Sequence, residues 1–180
     1  KYLSKLATGA FVGAFCLSEP EAGSDATSQA TTALDKGDHY IINGTKNWIT
    51  NGGRADVYIV IAQTNRDKGH KGINAFILEK GMSGFEVGPK EDKLGIRGSD
   101  THTLQFNDVK VPKENRIGND GFGFKFAMKT LSGGRIGIAA QALGIAVGAY
   151  DLALKYSKER KAFGTEIHNH QAIAFKLADM

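Results

Sequence analysis

The sequence predicts two architectures in succession, an antiparallel β-barrel or sandwich followed by the first helices of an α-helical bundle. Three observations carry this reading. Short runs rich in β-branched and aromatic residues recur from about Phe11 to Val111, with turn-forming clusters between them. No helical pattern intervenes among those runs, which argues against a parallel sheet built on crossover helices. After Gly121 the apolar residues recur at helical spacing instead.

The predicted strands are "FVGAFCL", "YIIN", "KNWIT", "DVYIVIA", "INAFILE" and "THTLQF". They are separated by "DKGD", "NGG", "NRDKGHKG", "EKGMSG" and "IRGSD", whose Gly, Asn and Asp content suits tight turns. "DVKVPKENRIG" reads as an exit strand and linker. Glycine is 23 of 180 residues but is spread without a repeat, so it marks turns rather than a collagen-like or linker segment. In the helical part, Ile136, Ala140, Leu143, Val147, Tyr150 and Leu154 form one stripe. Ile138, Ile145 and Leu152 form a second, so the helix is apolar on much of its circumference up to Lys155 and must be covered from more than one side. A last helical segment keeps Ile173, Leu177 and Met180 in step without a closing glycine, which predicts a chain cut in mid-helix whose packing partners lie elsewhere.

Composition narrows the function classes. Hydrophobic residues make up 41% and charged ones 23%, an ordinary globular balance. Net charge is only +4, and even the basic cluster "KYSKERK" contains Glu159, which argues against nucleic-acid binding. No uninterrupted apolar run approaches the ~18 residues of a membrane span, and no signal peptide opens the sequence, so a soluble intracellular protein without membrane contact is expected. A single cysteine, Cys16, excludes internal disulfides and cysteine-rich zinc sites. "HNH" at 168–170 lacks the carboxylates or further cysteines that would complete a metal site. "GNDGFGF" lacks both the Lys-Ser/Thr ending of a phosphate loop and the strand and spacing of a dinucleotide fingerprint. Asn43-Gly44-Thr45 fits a glycosylation acceptor, which means little without a secretion signal.

Three stretches invite a chemical reading beside a plain one. "FCLSEPEAGSD" is either a turn with capping serines or a loop whose N–H groups and hydroxyls approach something flat or anionic. Trp48 is either packing or, with Thr50 two residues on and on the same strand face, a stacking surface beside a hydroxyl for a planar heteroaromatic ligand. In "LSGGR", Gly133 and Gly134 interrupt helical periodicity before Arg135, which makes either a kink with a solvated arginine or a cation for phosphate or carboxylate.

Taken in order, "FCLSEPEAGSD", "NGTKNWITNGG", "DVKVPKENRIG", "GGRIGIAAQALGIA", "ERKAFG" and "HQAIAFKLADM" resemble the blocks of acyl-CoA dehydrogenases, most of all the short-chain, butyryl-CoA type. The resemblance covers essentially the whole chain. It implies that residues 1–10 end an N-terminal helical domain, 11–118 form the middle β-barrel domain, and 119–180 begin a C-terminal helical bundle. FAD is the implied cofactor. Phe15, Cys16, Leu17 and Ser18 would line the flavin, and Ser24 would reach the FAD pyrophosphate and the CoA chain. Trp48, Ile49 and Thr50 would lie at the ring, with Thr50 near N5. Arg160, Phe163 and Gln171 would contact FAD of a neighbouring subunit, and Ser132, Gly133, Gly134 and Arg135 would touch CoA.

The implied reaction is oxidation of a short-chain acyl-CoA to the trans-2-enoyl-CoA in fatty acid β-oxidation, by a homotetramer that hands electrons to an electron-transfer flavoprotein. The compartment would be the cytoplasm in a bacterium or the mitochondrial matrix in a eukaryote. In some branches the carboxylate base precedes the arginine matching Arg135, but here that position is Gly134. Other members carry it in a later segment, so no catalytic residue is assigned within the chain. Ser132 stands where short-chain members commonly have aspartate, and Ala162 where some have threonine. An acyl-CoA oxidase-like flavoenzyme and a non-enzymatic β-barrel binding module are the alternatives.

Overall fold

The computed structural model describes residues 1–180, which divide into two compact units, Lys1–Lys129 and Thr130–Met180. In the first unit a short helix α1 (Leu3–Ala7) precedes an eight-stranded sheet. Its strands are β1 (Gly13–Cys16), β2 (Thr32–Asp35), β3 (His39–Thr50), β4 (Val57–Gln63), β5 (Ile73–Glu79), β6 (Phe85–Lys90), β7 (Thr101–Pro112) and β8 (Arg116–Ile117). Their order is β6-β7-β3-β2-β4-β5-β8, with β1 beside β4.

The sheet is mixed rather than wholly antiparallel, because β1 runs parallel to β4 and Thr32 of β2 pairs parallel with Gln63. It curls on itself. Tyr58 of β4 and Phe85 of β6, remote in strand order, meet edge to face with ring centroids 4.7 Å apart, and Phe85 stacks on Phe106 of β7 at 5.2 Å. Inside lies one apolar core that includes Cys16, Tyr40, Ile42, Ile49, Val60, Phe76, Leu78 and Leu104, all 1% exposed or less. Burial there pushes the Cys16 thiol up to about 12, so it packs as an inert apolar group.

Two expected strands, "YIIN" and "KNWIT", are one continuous strand, β3. The Asn43-Gly44 pair lies inside this strand at a local irregularity: β7 carries an extra residue there, and Asn43 and Asp108 exchange two hydrogen bonds across it. The exit segment likewise extends β7 to Pro112. "GNDGFGF" starts the long helix α2 (Phe122–Glu159) against β5. A Cβ at Gly123 would lie 2.4 Å from the Asn74 backbone and one at Gly121 2.3 Å from the Lys71 carbonyl, so close packing accounts for these glycines.

The second unit holds most of α2, a small hairpin of β9 (Lys161–Ala162) and β10 (Thr165–Glu166), and α3 (Gln171–Asp179). The interruption expected at Gly133 and Gly134 is absent, since α2 runs unbroken through both. A glycine costs a helix interior only about 1 kcal/mol, and long helix-compatible segments flank the pair. Ile136, Ile138, Leu143, Ile145, Val147 and Leu152 are all more than half exposed. An 18-residue window of this helix has mean hydropathy 1.5 with none of it buried, so by length and composition it is apolar enough to cross a membrane. Counting uninterrupted runs overlooks this, because polar residues and glycines break each run without lowering the average much.

Candidate functional site

The loop after β1 is held by a buried ion pair that sequence reasoning did not identify. Lys46 sits on the inward-facing register of β3 with Tyr40 and Ile42. Its ammonium reaches Glu19 Oε1 at 2.7 Å, the Leu17 carbonyl at 2.9 Å and Gln29 Oε1 at 3.2 Å. The two charged side chains are 0% and 2% exposed. Glu19 also accepts N–H bonds from Ala30 at 2.6 Å and from Thr31 at 3.2 Å. Burial alone would raise the Glu19 pKa, but the Lys46 charge and these donors hold it below its ordinary value. Burial also lowers the Lys46 pKa, with Glu19 opposing.

The result is a loop fixed to β3 at several points. Glu19 and Ala22 close its tip through reciprocal backbone bonds, and the Asn47 N–H donates to the Ser18 carbonyl at 2.8 Å. Asp25 turns the chain by accepting from the hydroxyls of Thr27 and Ser28. Ser24, between the closed tip and that turn, is exposed.

Immediately after Lys46, β3 carries one more residue than β7 between the pairs Lys46–Leu104 and Ile49–His102. This bulge places Trp48 at φ 60, a left-handed conformation that costs a bulky residue on the order of 1–3 kcal/mol. Trp48 is 59% exposed, Ile49 is buried, and Thr50 is exposed again. An indole and a hydroxyl therefore share an outer face, beside a loop clamped by the preceding residues. Of the remaining predicted residues, Cys16 and Leu17 bury their side chains and offer only backbone, while Phe15 is half-buried with its ring edge-on to Phe126, centroids 6.4 Å apart.

Beyond Thr50, a second polar cluster fixes the turn into β4. The Asn51 N–H donates to the Asp100 carbonyl at 2.7 Å, and the Gly53 N–H to Asp100 Oδ2 at 2.9 Å. His102 sits between Asp100 Oδ1 at 2.9 Å and the Gly88 carbonyl at 2.8 Å.

In the second unit, Ser132 to Arg135 lie exposed on α2. Phe163 and Gly164 form the two-residue turn of the β9–β10 hairpin, with φ of 51 and 80, a primed turn that suits a tight hairpin. Phe163 is thereby held 99% exposed at the tip, its ring edge-on to His170 with centroids 6.1 Å apart. Arg160 precedes this hairpin and Gln171 begins α3, both exposed. Bonds from His170 to the Ala162 carbonyl at 3.1 Å and from His168 to the Ser157 carbonyl at 3.3 Å tie the segment together, so the "HNH" histidines are structural.

Two family models match the chain: "Acyl-CoA dehydrogenase, middle domain" over residues 14–109 and "Acyl-CoA dehydrogenase, C-terminal domain" over residues 121–180. The short-chain specific acyl-CoA dehydrogenase of Clostridium acetobutylicum is 57% identical over 180 residues, covering all of this chain and 48% of that protein. The solved structure of butyryl-CoA dehydrogenase from Megasphaera elsdenii matches with a TM-score of 0.95 and 56% identity, over 99% of this chain and 47% of that one. A chain from structural work on the electron transferring flavoprotein of Acidaminococcus fermentans matches with a TM-score of 0.94 and 58% identity, over 99% of this chain and 47% of that one. The chain thus spans about half the length of the relatives it matches.

Proposed function

Because this chain belongs to the acyl-CoA dehydrogenase family, we propose that it supplies flavin and CoA walls of an FAD-dependent dehydrogenase that oxidises a short-chain acyl-CoA to the trans-2-enoyl-CoA. The observation that carries this reading is Trp48, an exposed indole on left-handed backbone at a bulge, with the Thr50 hydroxyl on the same face. Such strain persists where the surroundings over-determine it, and here the Lys46–Glu19 clamp and the Asp100 contacts lie on either side. The donor set fits a flavin: one aromatic face, one hydroxyl, and backbone at the edge of a fixed loop.

Bound FAD supplies the two-electron acceptor for the hydride that leaves the β-carbon. The chain's own residues bind and orient. The Trp48 ring would hold the face of the isoalloxazine, the Thr50 hydroxyl would donate a hydrogen bond to it, and the backbone of Phe15 to Ser18 would hold its edge. Ser24 serves the pyrophosphate and the CoA chain, while Ser132 to Arg135 face CoA. Arg160, Phe163 and Gln171 serve FAD of a neighbouring subunit in a homotetramer, whose assembly also covers the apolar faces of α2. Gly134 has no side chain to take the α-proton, and the resemblance to family members that carry the base in a later segment supports a carboxylate outside these residues. The electron acceptor is an electron-transfer flavoprotein, a partner consistent with the relative from Acidaminococcus fermentans.

Anaerobic addition of butyryl-CoA to the full-length protein tests the reading. Bleaching of the flavin absorbance, with reoxidation far faster by an electron-transfer flavoprotein than by O₂, is expected. Rapid reoxidation by O₂ would point to an oxidase, and a colourless full-length protein would refute the assignment.

A further inference from the structure

The His102–Asp100 pair carries an inference that rests on the flavin-facing reading of β3 and goes beyond it. Both ring nitrogens of His102 lie against atoms that can only accept: Nδ1 against the Gly88 carbonyl at 2.8 Å, and Nε2 against the Asp100 carboxylate at 2.9 Å. A neutral imidazole has one N–H and satisfies one of these, whereas an imidazolium satisfies both. The other Asp100 oxygen accepts the Gly53 N–H at 2.9 Å, and the Asp100 carbonyl accepts the Asn51 N–H at 2.7 Å. In the ladder, His102 pairs with Ile49 and Thr101 with Thr50. The ring therefore ties β6, β7 and the turn after Thr50 into one polar knot.

Glycine at the turn corroborates how closely this knot is packed. A Cβ at Gly52 would lie 2.8 Å from His102 Cβ, and one at Gly53 would lie 2.7 Å from His102 Nε2 and 3.2 Å from Asp100 Oδ2. Neither glycine has a left-handed φ, so close approach accounts for the absence of a side chain: His102 and the Ile49 carbonyl, 2.9 Å away, at Gly52, and the His102–Asp100 pair at Gly53.

We propose that His102, as a doubly donating imidazolium held by Asp100, is a positioning residue that sets the place of Thr50 and Trp48 against the flavin. It touches neither substrate nor cofactor and acts through the Asn51–Gly53 turn. The charged groups around it are Asp100 on its own strand side, Lys90 of β6, Arg54 in the turn, and Lys80 after β5, whose ammonium holds the Gly53 carbonyl at 3.0 Å. Burial and Lys90 lower the His102 pKa, but the Gly88 carbonyl and Asp100 outweigh them and leave it raised above 6.5. The second hydrogen bond is thus complete below that ordinary value and is lost as pH rises through the raised one.

The test compares His102→Asn, Gly53→Ala and Thr50→Val in the full-length holoprotein. Measured are the flavin absorbance spectrum, the rate of flavin reduction by butyryl-CoA against pH, and amide exchange at Gly53. His102→Asn should keep its flavin, perturb the spectrum, reduce on the order of tenfold more slowly at neutral pH, and lack the alkaline step of the native profile. Gly53→Ala should reproduce the loss by displacing the ring, and serves alone if His102→Asn does not fold. Native spectra and native pH profiles in both variants, with Thr50→Val altered, would overturn the positioning role and leave the flavin face standing. An unaltered Thr50→Val would overturn both.

Discussion

Replacing Glu19 by Gln should release the loop between β1 and β2 without removing any atom from its packing. The amide keeps an acceptor for the Ala30 and Thr31 N–H groups but removes the charge opposite Lys46, whose ammonium is fully buried and whose other partners are the Leu17 carbonyl and Gln29 Oε1. Leaving a buried charge without its counter-ion costs about 3–5 kcal/mol. That is roughly a 150- to 5,000-fold rise in the opening equilibrium. Amide hydrogen exchange of the full-length protein reads it locally, at Ala30, Thr31 and Asn47, whose N–H groups are held by Glu19 and Ser18. Lys46→Met should be similar in sign, and the Glu19→Gln, Lys46→Met double variant should lose much less than the sum, by about 1–3 kcal/mol of coupling. The pH dependence has a definite sign. Glu19 is held below its ordinary 4.5, so its contribution is complete above that value and disappears as pH falls through the depressed one. Native exchange at these three amides in Glu19→Gln, or additive single and double losses, would show that the ion pair does not hold the loop.

Further outcomes follow from the flavin face and the proton-transfer step. Thr50→Val keeps shape but loses the hydroxyl, so the flavin potential or reduction rate should change by about tenfold in equilibrium or rate, with flavin content nearly native; redox titration and stopped-flow bleaching check it. Trp48→Ala should lower flavin affinity by about tenfold or more, read as the flavin-to-protein absorbance ratio after dialysis. In the full-length enzyme, replacing the glutamate of the later segment by Gln should cut turnover by about 10²–10⁴ while FAD stays bound; full activity in that variant, or its loss in Glu21→Gln, would place the base within this chain. Residues 1–180 expressed alone should show no butyryl-CoA-dependent dye reduction and should self-associate through the exposed faces of α2, which size-exclusion chromatography measures.

The change of period at Gly121 was legible because β-branched alternation and helical stripes are local, and so was the pairing of Trp48 with Thr50 across one residue. What escaped depends on contacts between distant residues. A buried lysine was visible in principle, since period two from Tyr40 and Ile42 carries Lys46 inward, but its partner lies 27 residues earlier in a loop with three acids. The bulge at Trp48 is set by the register of β7 and leaves no mark in β3 itself. Glycine misled at 133 and 134, where helical neighbours override a modest local cost. It was under-read at 163–164, where Phe-Gly makes a primed hairpin turn. Edge strand β6 was missed because "FEVGPK" contains both Gly and Pro, and an edge position tolerates them.

The most direct test is a structure of the full-length protein with its flavin bound. The isoalloxazine is expected to lie against the Trp48 indole, with the Thr50 hydroxyl in hydrogen-bond contact near N5 and the Phe15–Ser18 backbone along the ring edge. A flavin bound away from this strand, with Trp48 open to solvent or covered only by protein, would contradict this placement.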